Sequence, residues 1–209
     1  MRSYHQYCAA ARALDLIGDR WTLLIVRELL LRDCRFTDLR DSLPGIATNL
    51  LTERLRHLEA AGLLDRVEAP PPIATTLYRL TERGRALKPV LHELTRWGLP
   101  EMTRDVGDTA RGHWAVGAIP LLFDDADLAG LAPLVVDLEI EGVRMALRVA
   151  AGTLDVGPPA GEGADVVVRG RMPQVMAALA GSADALGEIE VEGDPRRLRA
   201  LSSRATFRP

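Results

Sequence analysis

The stretch PGIATNLLTERLRHLEAAGLLDR, residues 44–66, most limits the folds open to this chain of 209 residues. The Pro-Gly pair sets a turn, Leu51, Leu55 and Leu58 recur at helical spacing, and Gly62 closes the helix. Its opposite face reads Asn49, Thr52, Glu53 and Arg56. The next segment, LLDRVEAPPPIATTLYRL, predicts two short strands around a turn stiffened by Pro70, Pro71 and Pro72, which exclude a helix interior.

The flanking segments are helical. CAAARALDLIG places Ala9, Ala13, Leu16 and Ile17 on one stripe and stops at Gly18. RWTLLIVRELLL is apolar nearly all round, so it is expected to be the central buried helix. FTDLRDSL spaces Phe36, Leu39 and Leu43 for a third helix, with Thr37 as the expected N-cap. After the strands, TERGRALKPVLHELTRWG predicts a helix capped by Thr81 with the stripe Leu87, Val90, Leu91, Leu94 and Trp97. Pro89 is expected to kink or divide it. Three helices, a fourth with a polar outer face and a two-stranded wing, in that order, describe a winged helix-turn-helix.

Past DVGDTARG, residues 105–112, the hydrophobic period changes from helical to two. Val136, Leu138 and Ile140 alternate with Asp137, Glu139 and Glu141. After an Glu141-Gly142 turn, Val143, Met145, Leu147 and Val149 alternate with Arg144, Ala146 and Arg148, which predicts a hairpin with one wet face. GTLDVG and ADVVVRG read as strands. MPQVMAALAG reads as a helix opened at Pro173 and ended at Gly181, and GEIEVEGDPRRLRAL as a strand followed by a helix capped by Asp194. The expected fold class is therefore α+β, with a winged helix-turn-helix domain over 1–105 and an α+β domain over 113–209.

Charge and composition restrict the function classes. Hydrophobic residues make up 47% and charged residues 26%, as in folded domains that build real cores. The net charge of −3 is uneven: residues 1–105 hold 16 Lys and Arg against 14 Asp and Glu, the remainder 10 against 15. The first half can approach a polyanion; the second is repelled by one. A short polar N-terminus and no long apolar run predict a cytoplasmic protein with no membrane partner. Cys8 and Cys34 stand apart without zinc or redox spacing, and His5, His57, His92 and His113 are scattered. GPPAGEGADV lacks the Lys-Ser/Thr of a phosphate loop, and Asp124, Asp125 and Asp127 read as a solvated turn. The expectation is no metal, no cofactor and no catalysis.

On a helix aimed into a major groove, the outer face of residues 48–56 has suitable chemistry: asparagine for adenine, arginine for guanine, glutamate for the cytosine amino group, and threonine for several partners. The candidate DNA-binding residues are Thr48, Asn49, Thr52, Glu53 and Arg56, with Arg35, Arg40, Arg54, Arg66 and Arg79 for phosphates. His57 lies on the flank of this helix, suited to the surface or a phosphate. The competing reading is a merely solvated face; the order of elements favours DNA.

LDLIGDRWTLLIVREL, RFTDLRDSLPGIATNLLTERLRHLEAAGLLDR and YRLTERGRALKPVLHELTRWG together resemble the HxlR-type winged-helix transcription regulators, over about residues 8–98. The resemblance implies a bacterial homodimer that binds a two-fold-symmetric operator in double-stranded DNA, usually as a repressor. The first and post-wing helices would form its interface. Two features depart from the family: Ala47 stands where a serine usually caps the reading helix, leaving Thr48 to take over the cap or the helix start weaker, and the wing tip carries no cation. Cys8 lies where many members carry a thiol near the dimer interface. It is a candidate redox sensor, with Arg12 one turn away to favour the thiolate, or else a small buried helix residue. Cys34 is a weaker candidate.

Residues 114–209 resemble the sterol-carrier-protein-like domains, which enclose an apolar tunnel. That resemblance implies a small apolar ligand and a pocket drawn from Trp114, Phe123, Met145, Leu147, Met172, Met176 and Leu179, although the same side chains would equally fill a solid core. The alternative function is a lipid- or small-molecule-binding carrier whose helical half only dimerises.

Overall fold

A computed structural model describes residues 3–69, 75–102, 109–124 and 126–206. Contacts group the chain into two compact units, Met1–Glu93 and Leu94–Pro209. Of the linker expected over 105–112, residues 105–108 lie outside the described residues, as do Asp125 and the wing-tip residues 70–74.

The N-terminal unit begins with α1 (Ala9–Ile17), α2 (Thr22–Leu31), α3 (Phe36–Ser42) and α4 (Thr48–Ala60). Strands β1 (Leu64–Glu68) and β2 (Thr76–Leu80) follow, antiparallel with Leu64 opposite Leu80. Helix α2 is central, burying Ile25, Val26 and Leu29 against Leu39, Leu43, Leu51, Leu55 and Leu58. Each leucine of α4 removed from water contributes about 1.5–3 kcal/mol, so this stripe fixes which face of α4 turns outward.

Two local expectations need correction, and one pairing is new. On α1 the buried residues are Ala11 and Ile17, while Ala9 and Ala13 are exposed, because what packs against a helix decides which face is buried, not its own apolar positions alone. Arg35, not Thr37, is the N-cap of α3, and its N–H donates to Asp38 Oδ2 at 2.9 Å. Cys34 forms an isolated antiparallel bridge to Tyr78, so the wing gains a third backbone segment that the hydrophobic pattern does not announce.

Pro89 divides the helix after the wing. Thr81 caps α5 (Glu82–Arg85), its hydroxyl accepting from Gly84 N at 3.1 Å, and α6 (Lys88–Gly98) begins afresh. Proline has no N–H to offer the carbonyl four residues earlier, so the ladder breaks between the two. Gly84 is required where it stands: a Cβ would lie 2.0 Å from Leu63 O.

In the C-terminal unit, α7 (Ala115–Ala118) between two 3-10 turns precedes β3 (Leu134–Ile140), β4 (Val143–Ala150), β5 (Thr153–Gly157) and β6 (Val166–Gly170). Then come α8 (Met172–Leu179), α9 (Ala183–Leu186), β7 (Glu190–Gly193) and α10 (Pro195–Ser202). The sheet order is β5-β4-β3-β6-β7, with only β3 and β6 parallel. The expected hairpin closes through Glu141 and Gly142, at φ 51° and 82°, as a primed turn demands. One face carries the core; α8 packs on β6 and α10 on α8. The other face is not uniformly wet. Asp137 is buried because the segment after β5 crosses it, with Ala160 N and Gly161 N donating to its carboxylate at 2.8 and 2.9 Å.

Candidate nucleic-acid interface

The entry to α4 is a turn from Leu43 to Ile46, with Ile46 N donating to Leu43 O at 3.2 Å and Gly45 at φ 89°. Pro44 followed by a residue at positive φ is the type II pattern, which glycine adopts without strain. Ala47 is the N-cap in extended conformation and offers no side-chain acceptor, so Thr48 is the first helical residue and not the cap. The first N–H groups of α4 therefore point to solvent or to a ligand.

Thr48, Asn49, Glu53 and Arg56 are exposed and Thr52 half-buried, all opposite the leucine stripe. The side chains of Asn49 and Arg56 make no hydrogen bond or ion pair within the described residues. Thr52 Oγ1 donates back to Thr48 O at 3.0 Å, which leaves its methyl and its lone pairs unengaged by that bond. Glu53 meets Arg54 at 3.1 Å.

The cations expected at phosphates differ in their freedom. Arg35 is exposed at the start of α3. Arg40 pairs with Asp41 at 3.2 Å, Arg66 with Glu59 at 2.9 Å and Arg79 with Asp33 at 2.6 Å. Exposed pairs of this kind are weakened by solvent and salt, so they do not lock these guanidinium groups in place. Arg54 is another matter: its side chain is only 14% exposed and its guanidinium meets Asp19 at 2.9 Å. Spacing placed it beside the reading face, whereas the fold turns it inward. His57 is likewise engaged, its Nε2 lying 3.0 Å from Leu16 O.

Both thiols are free. Cys8 is exposed at the N-cap of α1, and Arg12, expected to favour its thiolate, meets Asp15 at 3.5 Å. Cys34 is buried, and burial pushes its thiol up to about 11.

In the C-terminal unit, Phe123, Met145, Leu147, Met172, Met176 and Leu179 are all buried in one core, with Trp114 packed at its edge. A groove of about 260 Å3 lies instead on the opposite face of the sheet, among Asp137, Glu139, Arg144, Glu162, Arg169 and Glu192. There Arg144, Glu139, Arg169 and Glu190 face one another across four strands with alternating charge, and Arg169 reaches Glu190 at 3.0 Å and Glu192 at 3.2 Å. The period-two pattern held this signal, but only the strand order reveals the row. Among the described residues no group of three or more His, Cys, Asp or Glu is placed to hold a metal ion, and no helix is long and apolar enough to cross a membrane.

The HxlR-like helix-turn-helix family matches residues 16–105. YvaP of Bacillus subtilis, described as an uncharacterized HTH-type transcriptional regulator, is 37% identical over 86 residues, which are 41% of this chain and 80% of YvaP. The HTH-type transcriptional regulator YodB of the same organism is 34% identical over 97 residues, 46% of this chain and 85% of YodB. The solved structure of reduced YodB aligns with 49% of this chain and 100% of its own at 32% identity, with a TM-score of 0.41.

Proposed function

The chain belongs to the HxlR-like helix-turn-helix family and is a DNA-binding transcriptional regulator, and from that premise we propose how it binds. It acts as a homodimer, chiefly in repression, each protomer laying α4 in the major groove of one half of a two-fold-symmetric operator. The observation that carries this reading is the outer face of α4: Asn49 and Arg56 are exposed with unspent donors and acceptors, on a helix whose other face is fixed by Leu51, Leu55 and Leu58. Seven residues of helix separate them, about 10 Å along the axis, or about three base pairs of groove. Dimerisation through α1 and α6 is supported by their exposed apolar side chains, Leu14, Val90, Leu94 and Trp97, the last 77% exposed.

The C-terminal unit is assigned to a small apolar effector, and Cys8 to thiol sensing; the methionines at 145, 172 and 176 in one core support the first, and the exposure of Cys8 the second. Either signal changes DNA binding only if it favours one arrangement of the two reading helices over another.

The test is binding of the purified protein to the DNA flanking its own gene, with non-specific competitor and a salt series. Competitor-resistant binding to one segment is expected, with Asn49→Ala and Arg56→Ala each erasing the preference while the fold survives. Variants that keep the wild-type preference would remove α4 as the reading element.

A further inference from the structure

We infer that Arg54 is a positioning residue and not a phosphate contact: paired with Asp19, it ties the reading helix to the turn between α1 and α2 and so sets how α4 is presented to DNA. The inference rests on α4 being the reading helix. Three points join that turn and the last residues of α1 to α4 and its entry. Arg54 meets Asp19 at 2.9 Å, His57 Nε2 lies 3.0 Å from Leu16 O, and the Trp21 ring comes within 3.8 Å of where a Cβ on Gly45 would stand. The turn itself is held in an unusual shape. Trp21 sits in the left-handed region at φ 79°, which side chains other than glycine tolerate only when their surroundings demand it, and Arg20 stacks 5.5 Å over its ring.

The side chain of Arg54 argues the same way. Its Nε is buried and has no hydrogen-bond partner among the described residues, so the guanidinium is held in place at a cost in unmade hydrogen bonding, whereas an arginine serving phosphate would lie in solvent. A shift of α1 relative to the core would then reach α4 through Leu16 and Asp19. Cys8, at the N-cap of α1, stands at the far end of the same helix.

The two roles predict opposite signs at Asp19. Asp19 is half-exposed, so Asp19→Asn keeps the fold, and it removes a negative charge near DNA. If Arg54 held phosphate, Asp19→Asn would leave binding unchanged or tighten it. Arg54→Met would then make the salt dependence shallower by about 0.9 per protomer. If Arg54 positions α4, both variants weaken operator binding, each about tenfold, and the double variant is no worse than either alone.

Affinity is measured on the titrated active fraction of the full-length protein, for operator and for random DNA, across salt. The expected result is loss of operator affinity in both single variants, non-additive in the double, with random-DNA affinity and salt slope unchanged and partial recovery in Arg54→Lys. Tight binding by Asp19→Asn with a shallower slope for Arg54→Met would overturn the assignment in favour of a phosphate contact. Wild-type affinity in the active fraction of both variants would overturn it in favour of a purely structural pair. A wild-type protein without operator preference refutes the reading of α4 itself, and this inference falls with it.

Discussion

Replacing Ala47 by serine tests whether the start of α4 is under-capped. Ala47 already has the extended dihedrals of an N-cap, φ −71° and ψ 141°, it is exposed, and its carbonyl accepts from Leu51 N at 2.9 Å. A serine there needs no backbone movement, and its hydroxyl reaches the N–H of Asn49 or Leu50, which have no intrahelical acceptor. The gain expected is about 1 kcal/mol, roughly a fivefold change in the folded-to-unfolded ratio. For a urea dependence of about 1–3 kcal/mol per molar, the midpoint of the N-terminal unit rises by about 0.3–1 M at unchanged slope. The assay is urea unfolding followed by tryptophan fluorescence and far-ultraviolet circular dichroism together. An unmoved or lowered midpoint at the same slope would refute the reasoning, because Ala47 is exposed and already has the dihedrals a capping serine needs.

Three further outcomes are expected. Trp97→Asp, placing a charge on an exposed apolar position of α6, should convert dimer to monomer in sedimentation; an unchanged mass would take Trp97 out of the interface. Iodoacetamide at pH 8 should label Cys8 in the folded protein and reach Cys34, buried with its thiol pushed up to about 11, only after unfolding; equal rates at both would contradict the burial. Asp165 is held below the usual carboxylate range by the Val135 N–H, with Arg197 adding to it against desolvation. Its folded-state value is therefore lower than its unfolded one of about 3.9, so its stabilisation is present above that pH and lost as pH falls through the folded value. Asp165→Asn should be less stable than wild type at pH 7, with the gap closing below about pH 4; a gap independent of pH would show that the charge is not the cause.

Much of the architecture is legible without coordinates because its signals are short-range. The leucine period marks the buried face of α4, Pro44-Gly45 its entry, Thr81 and Asp194 their helix caps, and alternation from Leu134 to Val149 the hairpin. Each depends on residues a few positions apart, which the chain brings together in any fold that contains the element. The polar outer face of α4 was legible for the same reason, since the leucines on one side dictate what stands on the other.

The partners of the long charged side chains were not legible, and neither was the strip of α1 that the core accepts. By spacing alone Arg54, Arg66 and Arg79 are equivalent phosphate candidates, and Arg56 is a candidate for a base edge. The fold sends Arg54 to Asp19, Arg66 to Glu59 and Arg79 to Asp33, and leaves Arg56 open. It buries Asp137 under a crossing loop although its neighbours in the pattern are solvated. A hydrophobic period is a property of one element, whereas an ion pair between residues distant in the chain exists only once two elements have packed. The sequence by itself determined which face of α4 turns outward and with what chemistry, because that depends on residues a few positions apart; the tertiary structure decided which of its charges lie open and which are paired with residues distant in the chain.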